Sequence, residues 1–237
     1  MCGRFTLTTD DFETVANTFG AYVDPDAAAE YRPRYNAAPG DTCWIVTLES
    51  IEHGTKDPRR RLATATWGFP LAGPDARSVI NARAESLHEK ASFAEAFWTG
   101  RCGVVVDGFF EWTGPKGDRQ PLWLHRPDHA PFLLGGIVHA GRFAILTTEP
   151  NELVAPHHDR MPVVLPPGRV DEWLHAPGHR SRDAIEHAAT LFAPPPADWL
   201  AMTAVDRRVS DIHNDDPSCL QPVDYDTSGG SKQTDLF

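Results

Sequence analysis

Nowhere in the 237 residues do two cysteines stand close together: Cys2, Cys43, Cys102 and Cys219 are scattered, which argues against a structural zinc site and a disulfide framework. The eleven histidines show no His-Glu-x-x-His or comparable ligand spacing, so no metal is expected. A glycine-rich phosphate loop between alternating strands and helices is missing as well, which speaks against a nucleotide-cofactor fold, and no cofactor is expected. No apolar run approaches the roughly 18 residues of a spanning helix, and no basic segment with an apolar stretch behind it opens the chain. These absences read as a soluble, cytoplasmic protein with reduced thiols and no membrane contact. Positive charge is scarce too. The 22 Lys and Arg face 33 Asp and Glu, a net charge of −11, whereas a nucleic-acid partner normally shows as a basic surface. A sum does not report distribution, however. Arg4, Arg32, Arg34, Arg83, Arg160, Arg207 and Arg208 lie in or beside the polar motifs described below. The acids gather elsewhere, at Asp10, Asp11 and Glu13 and between Asp211 and Asp226, which leaves room for a local basic groove.

What is present is enough apolar material for a core: 41% hydrophobic residues, with seven Trp and twelve Phe. The length suits one large domain or two small ones. "DDFETVANTF" repeats apolar residues at helical spacing behind Thr9 or Asp10 as cap. "TCWIVTL" and "RLATATWGF" read as strands on either side of a turn, "EHGTKDP". "ESLHEKASFAEAFWTG" reads as helix in two pieces, stopped by Gly100. "CGVVVDGFFEW", "QPLWLHR", "PFLLGGIV" and "GRFAILTT" follow as a run of four strands. "VDEWL" and "SRDAIEHAATLF" are helical, and "WLAMTAV" is a late strand. Strand runs broken by separate helices give an α+β class with mostly antiparallel, barrel-like sheets and peripheral helices. From about residue 226 the composition turns to the linker-like "DTSGGSKQTD", so the domain is expected over 1–225 and a flexible tail over 226–237.

Four polar stations and the first residues can carry chemistry. If Met1 is removed, Cys2 offers an α-amine and a thiol on adjacent carbons, a 1,2-aminothiol that no internal cysteine provides. "VINARAE" places Asn81 and Arg83 ahead of a helix, where the plain reading makes Asn81 a helix cap and Arg83 a surface residue. "DGFFEWT" sets Glu111 between aromatics whose burial would raise its pKa for proton transfer; an outward-facing glutamate is the alternative. "APHHDRMPVVL" carries His157 and His158, able to exchange protons near neutrality. "AVDRRVSDIHNDDPSCLQPV" is polar and bears Arg207 and Arg208.

Taken in order, "MCGR", "RYNAAPG", "TWGF", "INARAES", "DGFFEW", "HHDRMPVVL" and "NDDPSCLQPV" resemble the successive motifs of the SRAP family, the SOS-response-associated peptidase-domain proteins. The resemblance runs from Cys2 to about Val223. It implies covalent capture of abasic sites in single-stranded DNA, with Schiff-base chemistry of a lyase-like kind and a proposed self-cleaving peptidase activity, without cofactor or metal. Carried onto the matching positions, it implies Cys2 as nucleophile, Glu111 as manager of the amine proton and His158 as proton donor to the sugar ring oxygen. Asn81 would hold the terminal amine or the sugar. Arg4, Arg83, Arg160 and Arg207 would contact DNA, while Asn36 and Pro39 would form a supporting turn. Family members often carry a tryptophan wedge between the W-G and N-A-R motifs. Here that loop reads "FPLAGPDARSV", and Phe69 or Leu71 are the candidates to replace it.

A different class of function uses the same residues: an N-terminal-nucleophile peptidase or amidase in which the Cys2 thiolate attacks a carbonyl and its own amine is the base. Arginines beside the nucleophile favour the DNA reading. The final "QTDLF" resembles the Q-x-x-L-F peptide by which bacterial proteins dock on the DNA polymerase sliding clamp, with Gln233, Leu236 and Phe237 as contacts. Such a protein would be cytoplasmic, and nucleoid-associated when on DNA.

Overall fold

Phe12, Val15, Ala16 and Phe19 all fall on the buried face of the first helix. Its cap is Asp11, one residue beyond the expected pair, and the Asp11 side chain accepts from the Glu13 amide. Gly20 closes it at φ 56°, a left-handed conformation that glycine adopts without strain. The computed structural model describes residues 2–23, 25–49, 58–71, 78–175 and 180–225. The "EHGTKDP" turn up to Asp57, residues 72–77 of the expected wedge loop, and the tail with Gln233, Leu236 and Phe237 lie outside the described residues.

In chain order the described elements begin with β1 (Phe5–Leu7), α1 (Phe12–Phe19), β2 (Tyr22–Val23), α2 (Pro25–Ala29) and β3 (Arg34–Ala37). Next come β4 (Thr42–Glu49), β5 (Arg59–Trp67), β6 (Phe69–Pro70), β7 (Ser78–Val79), β8 (Asn81–Arg83) and α3 (Ala91–Thr99). The chain continues through β9 (Arg101–Val106), β10 (Gly108–Thr113), β11 (Gln120–His125), β12 (Phe132–His139), β13 (Arg142–Thr148) and β14 (Met161–Pro162). It ends with α4 (Val170–Leu174), α5 (Arg182–Ala189) and β15 (Ala201–Ala204). The class is α+β in one domain, as the strand and helix runs imply.

Two sheets carry the fold. One has the order β15-β11-β10-β1-β3, antiparallel throughout. The other runs β14-β13-β12-β9-β4-β5-β2, and β13 returns to pair in parallel with β5 at Arg142↔Thr66 and Phe143↔Trp67. That pairing closes β5, β4, β9, β12 and β13 into a barrel. Cys2, Phe5, Trp67, Phe109, Leu124 and Phe143 belong to one buried cluster shared by both sheets, in which Phe5 and Trp67 meet at 5.0 Å. The outer face of the first sheet buries Phe110 and Trp123 with Val209 and Cys219 from the 3-10 turns at Arg207–Ser210 and Pro217–Leu220.

"CGVVVDGFFEW" differs from its reading as one strand. The chain leaves the barrel at Asp107 and enters the other sheet at Gly108. Asp107 is 3% exposed. Its carboxylate accepts from Thr6 Oγ1 (2.5 Å), the Thr8 amide (2.5 Å) and Thr8 Oγ1 (2.7 Å), so the corner grips the middle of β1 and the residue that follows it. A side chain at Gly108 would bring its Cβ within 2.1 Å of Trp123 Nε1, which explains the glycine there.

Candidate active site around Cys2

Cys2 lies ahead of β1, separated from it by Gly3 and Arg4, and is fully buried. Its carbonyl accepts the Asn81 side-chain amide at 2.8 Å, and its thiol points to the Arg4 carbonyl at 3.5 Å. The Arg4 carbonyl in turn accepts the Phe110 amide at 3.0 Å. Burial pushes the Cys2 thiol far above its usual range, and the negative charge of Glu111 pushes it further. Asn81 does not cap a helix. It opens β8, which pairs in parallel with β13 at Ile145↔Asn81, and its Oδ1 is buried with no partner among the described residues.

Glu111 lies on β10, where alternation puts Phe109 and Glu111 on the inner face and Phe110 and Trp112 on the outer. It is 2% exposed, so the outward-facing alternative fails. Burial raises its carboxyl pKa, while the nearby His158 pulls in the opposite direction. The two histidines of the "HHD" motif part company. His157 is buried and bonds Thr113 Oγ1 at 3.2 Å, a scaffold role. His158 takes the Arg160 amide on Nδ1 at 2.9 Å, so the neutral ring carries its proton on Nε2. Asp159 Oδ1, 3.0 Å from the same Nδ1, meets the ring when that nitrogen is protonated instead. Cys2, Asn81, Glu111 and His158 are thereby linked: Asn81 by a hydrogen bond, Glu111 by its field on the thiol, His158 by its field on Glu111.

The arginines separate into engaged and open groups. Arg160 is 14% exposed and bidentate to Glu85 at 2.8 and 2.9 Å, with a further bond to the Thr147 carbonyl at 2.5 Å. Its two terminal nitrogens are thus engaged within the protein, while its Nε is buried with no partner among the described residues. Arg83 is exposed, and its side chain makes no hydrogen bond or ion pair among the described residues. Arg4 donates to the Val209 carbonyl at 3.1 Å and lies over the Trp112 ring at 5.8 Å. Arg207 is held by Asp118 and, at 3.4 Å, by Gln120. Asn36 is fully buried and donates to the carbonyls of Val209, Asp211 and Asn214, so it organises the polar motif around Arg207 from below. Phe69 cannot act as a wedge, because it is 2% exposed and packs on Phe93; Leu71 is half-buried against the same core. Sequence reasoning missed the corner at Asp107, which lay hidden inside an apparent strand.

A profile of the SRAP family, the SOS response associated peptidases, matches residues 1–212. The chain belongs to the SRAP family. Among its relatives, the abasic site processing protein YoqW of Bacillus subtilis is 32% identical over 239 residues, covering 93% of this chain and 99% of that protein. The abasic site processing protein YedK of Escherichia coli is 29% identical over 235 residues, covering 94% and 100%. The chicken protein HMCES, of the same description, is 24% identical and covers 82% of this chain and 67% of its own. A crystal structure of a protein from Bacteroides thetaiotaomicron shares the fold at TM-score 0.74 and 21% identity, covering 94% of this chain and all of that one. A phage-related protein from Bordetella bronchiseptica superposes at TM-score 0.65 with 28% identity, covering 87% and 95%.

In this SRAP domain the four linked side chains offer a thiol that burial keeps neutral, a carboxyl group whose pKa burial raises, an imidazole, and an amide whose acceptor oxygen has no partner among the described residues. Among the described residues no group of three His, Cys, Asp or Glu could hold a metal ion. No described helix is long and apolar enough to cross a membrane.

Proposed function

We propose that this protein processes abasic sites by capturing them covalently in single-stranded DNA through Cys2. The observation that carries the reading is the pinned, buried Cys2 beside Asn81, Glu111 and His158. The relatives named as abasic site processing proteins match over nearly their whole length and support it. Burial supports it as well: a sugar without a base is slender enough to enter where an intact nucleotide is not.

The chemistry begins when Met1 is removed and the Cys2 α-amine is free. That amine, with a reference pKa of about 7.7–8.0, is partly neutral near pH 7. His158 protonates the ring oxygen of the deoxyribose as the C1′–O4′ bond breaks, and solvent takes the C1′ hydroxyl proton, which exposes the aldehyde. The amine adds to the aldehyde carbon, Glu111 takes the proton the nitrogen loses and returns it to the resulting hydroxyl, which leaves as water as the C=N bond forms. The Cys2 sulfur then forms a C–S bond to the imine carbon, the C=N π electrons go to nitrogen, and the thiol proton ends there by way of Glu111. Amine, aldehyde and thiol thus give a five-membered thiazolidine and one water. Ring closure removes the imine that would drive elimination of the 3′ phosphate, so the strand is shielded. Asn81 positions the Cys2 carbonyl, and its Oδ1 accepts from the sugar. Arg4, Arg83 and Arg207 contact phosphates, and Arg160 holds the loop that carries His158. The tail peptide with Gln233, Leu236 and Phe237 docks on the sliding clamp and brings the protein to replication forks; a tail peptide should bind purified clamp, and Leu236→Ala with Phe237→Ala should abolish that binding.

The family description favours one alternative, an N-terminal-nucleophile peptidase with the same Cys2. Intact mass spectrometry, alone and after mixing with abasic single-stranded DNA, separates the two. The capture reading expects loss of Met1 and a DNA adduct lighter by one water than the sum of its parts. A processed protein that forms no adduct overturns it.

A further inference from the structure

Trp67, the last residue of β5, is fully buried. It stands where the barrel closes, paired with Phe143 of β13 and stacked on the Phe143 ring at 6.2 Å and 6°. Its backbone is fixed on both sides: the amide donates to the Asp41 carbonyl at 2.9 Å, and the carbonyl accepts the Gly40 amide at 2.8 Å. From this anchored position the indole N–H donates to the Ile80 carbonyl at 2.9 Å. The next residue is Asn81, whose side chain holds the Cys2 carbonyl at 2.8 Å. The face of the same indole meets Phe5 of β1 at 5.0 Å. These contacts close a circuit that runs from Trp67 through Ile80 and Asn81 to Cys2, along the chain to Phe5, and back to Trp67.

The circuit matters because Asn81 opens a strand of only three residues, β8, which pairs with β13 alone. So short an element needs a second brace, and the indole supplies it at the peptide before Asn81. A plain core role would ask only for a large apolar ring at this position. The N–H adds something different, because the Ile80 carbonyl already accepts the Ile145 amide at 3.0 Å. Removing the indole bond therefore leaves no buried carbonyl orphaned. It loosens the placement of Asn81 without a polar penalty to the fold.

Resting on the capture reading above, we propose that Trp67 is a positioning residue for that reaction: its indole N–H fixes the Ile80–Asn81 step and so holds the Cys2 α-amine and thiol in register with the incoming sugar. Trp67 itself touches no substrate. Small displacements at a reacting centre are costly in rate, so the effect belongs to the chemical step and not to DNA affinity.

The test uses the full chain and an abasic single-stranded oligonucleotide. Trp67→Phe keeps an aromatic ring and loses the donor. The capture rate at saturating DNA should fall about fivefold, within the worth of one hydrogen bond, with the half-saturating concentration unchanged. In an Asn81→Ala background the same substitution should cost less than about twofold, because the indole acts through Asn81. The order parameter of the Gly3 amide from nitrogen-15 relaxation should also fall in Trp67→Phe, while those of α5 stay at parent values. A parent-like rate, equal losses in both backgrounds, a loss of affinity in place of rate, or an unchanged Gly3 order parameter would each overturn the proposal. If Trp67→Phe does not fold, benzothienylalanine at position 67, which keeps the ring size and lacks the N–H, takes the same measurements under the same criteria. The Gly3 order parameter needs no DNA. A parent protein that forms no adduct would sink the covalent-capture reading and leave the brace to be decided by Gly3 alone.

Discussion

Asn81 donates its side-chain amide to the Cys2 carbonyl across 2.8 Å and so ties a strand of the barrel sheet to a residue ahead of β1 of the other sheet. A residue this near a terminus ordinarily frays. Here the Asn81 bond, the Phe110 amide on the Arg4 carbonyl and the Asp107 grip on β1 hold the segment before any substrate arrives. Part of the ordering entropy of the reaction is therefore spent during folding.

Asn81→Ala should slow formation of the denaturant-resistant adduct about two- to twelvefold, the worth of one hydrogen bond of about 0.5–1.5 kcal/mol. Gel-shift kinetics on abasic single-stranded DNA measure it. A wild-type rate would show that the contact does not position the nucleophile.

Cys2→Ala keeps an α-amine but loses the thiol. A Schiff base should still form and be trapped by borohydride, while no adduct should survive heat without reductant. A variant that retains Met1 should form neither species. A heat-stable adduct on Cys2→Ala would contradict ring closure through sulfur.

Glu111 should show itself in both rate and stability. Its folded pKa is raised by burial, so the native state holds this proton more tightly than the unfolded chain. Its contribution to stability is fully present below the unfolded carboxylate pKa of about 4.3 and is lost as pH rises through the folded value. Glu111→Gln should remove that loss, giving a flatter denaturation profile towards neutral pH, and should also slow adduct formation. Denaturant melts at pH 4 to 8 test the first point; a steeper decline than in the parent would refute it.

Arg160→Lys keeps the charge but loses the bidentate pair with Glu85. Because the Arg160 amide sets the His158 ring, release of DNA from a preformed adduct should slow several-fold. Affinity for undamaged strands should change less than twofold. A larger affinity loss with a shallower salt slope would assign Arg160 to phosphate instead.

Asp107→Asn exchanges an acceptor oxygen for a donor facing Thr6 or Thr8 in a buried corner. Stability should fall by about 2–3 kcal/mol, read from the chemical denaturation midpoint. A fall below about 0.5 kcal/mol would mean the corner is not what anchors β1.

Much of the site was legible before the fold was known, because ordered motifs named Cys2, Asn81, Glu111 and His158. Their geometry was not. "INARAES" allowed Asn81 to cap a helix, and the choice went to a strand because β13 offers parallel partners to residues 81–83, a pairing about sixty residues away. Local pattern could not tell Arg160 from Arg83 either: both are arginines beside motif residues, and Glu85 decides which of them is engaged.

The amino-acid order by itself settled what is periodic or local: the amphipathic face of α1, the alternation of β10 that sends Glu111 and Trp112 to opposite faces, and the ordered motifs that name the candidate side chains. Only the tertiary structure decided where "CGVVVDGFFEW" breaks, that β13 closes the barrel on β5, and which arginines are engaged within the protein. The reason is physical. Periodicity is written into neighbouring residues, whereas a corner, a ring closure or an ion pair depends on contacts between segments far apart in the chain, and no local window contains both partners.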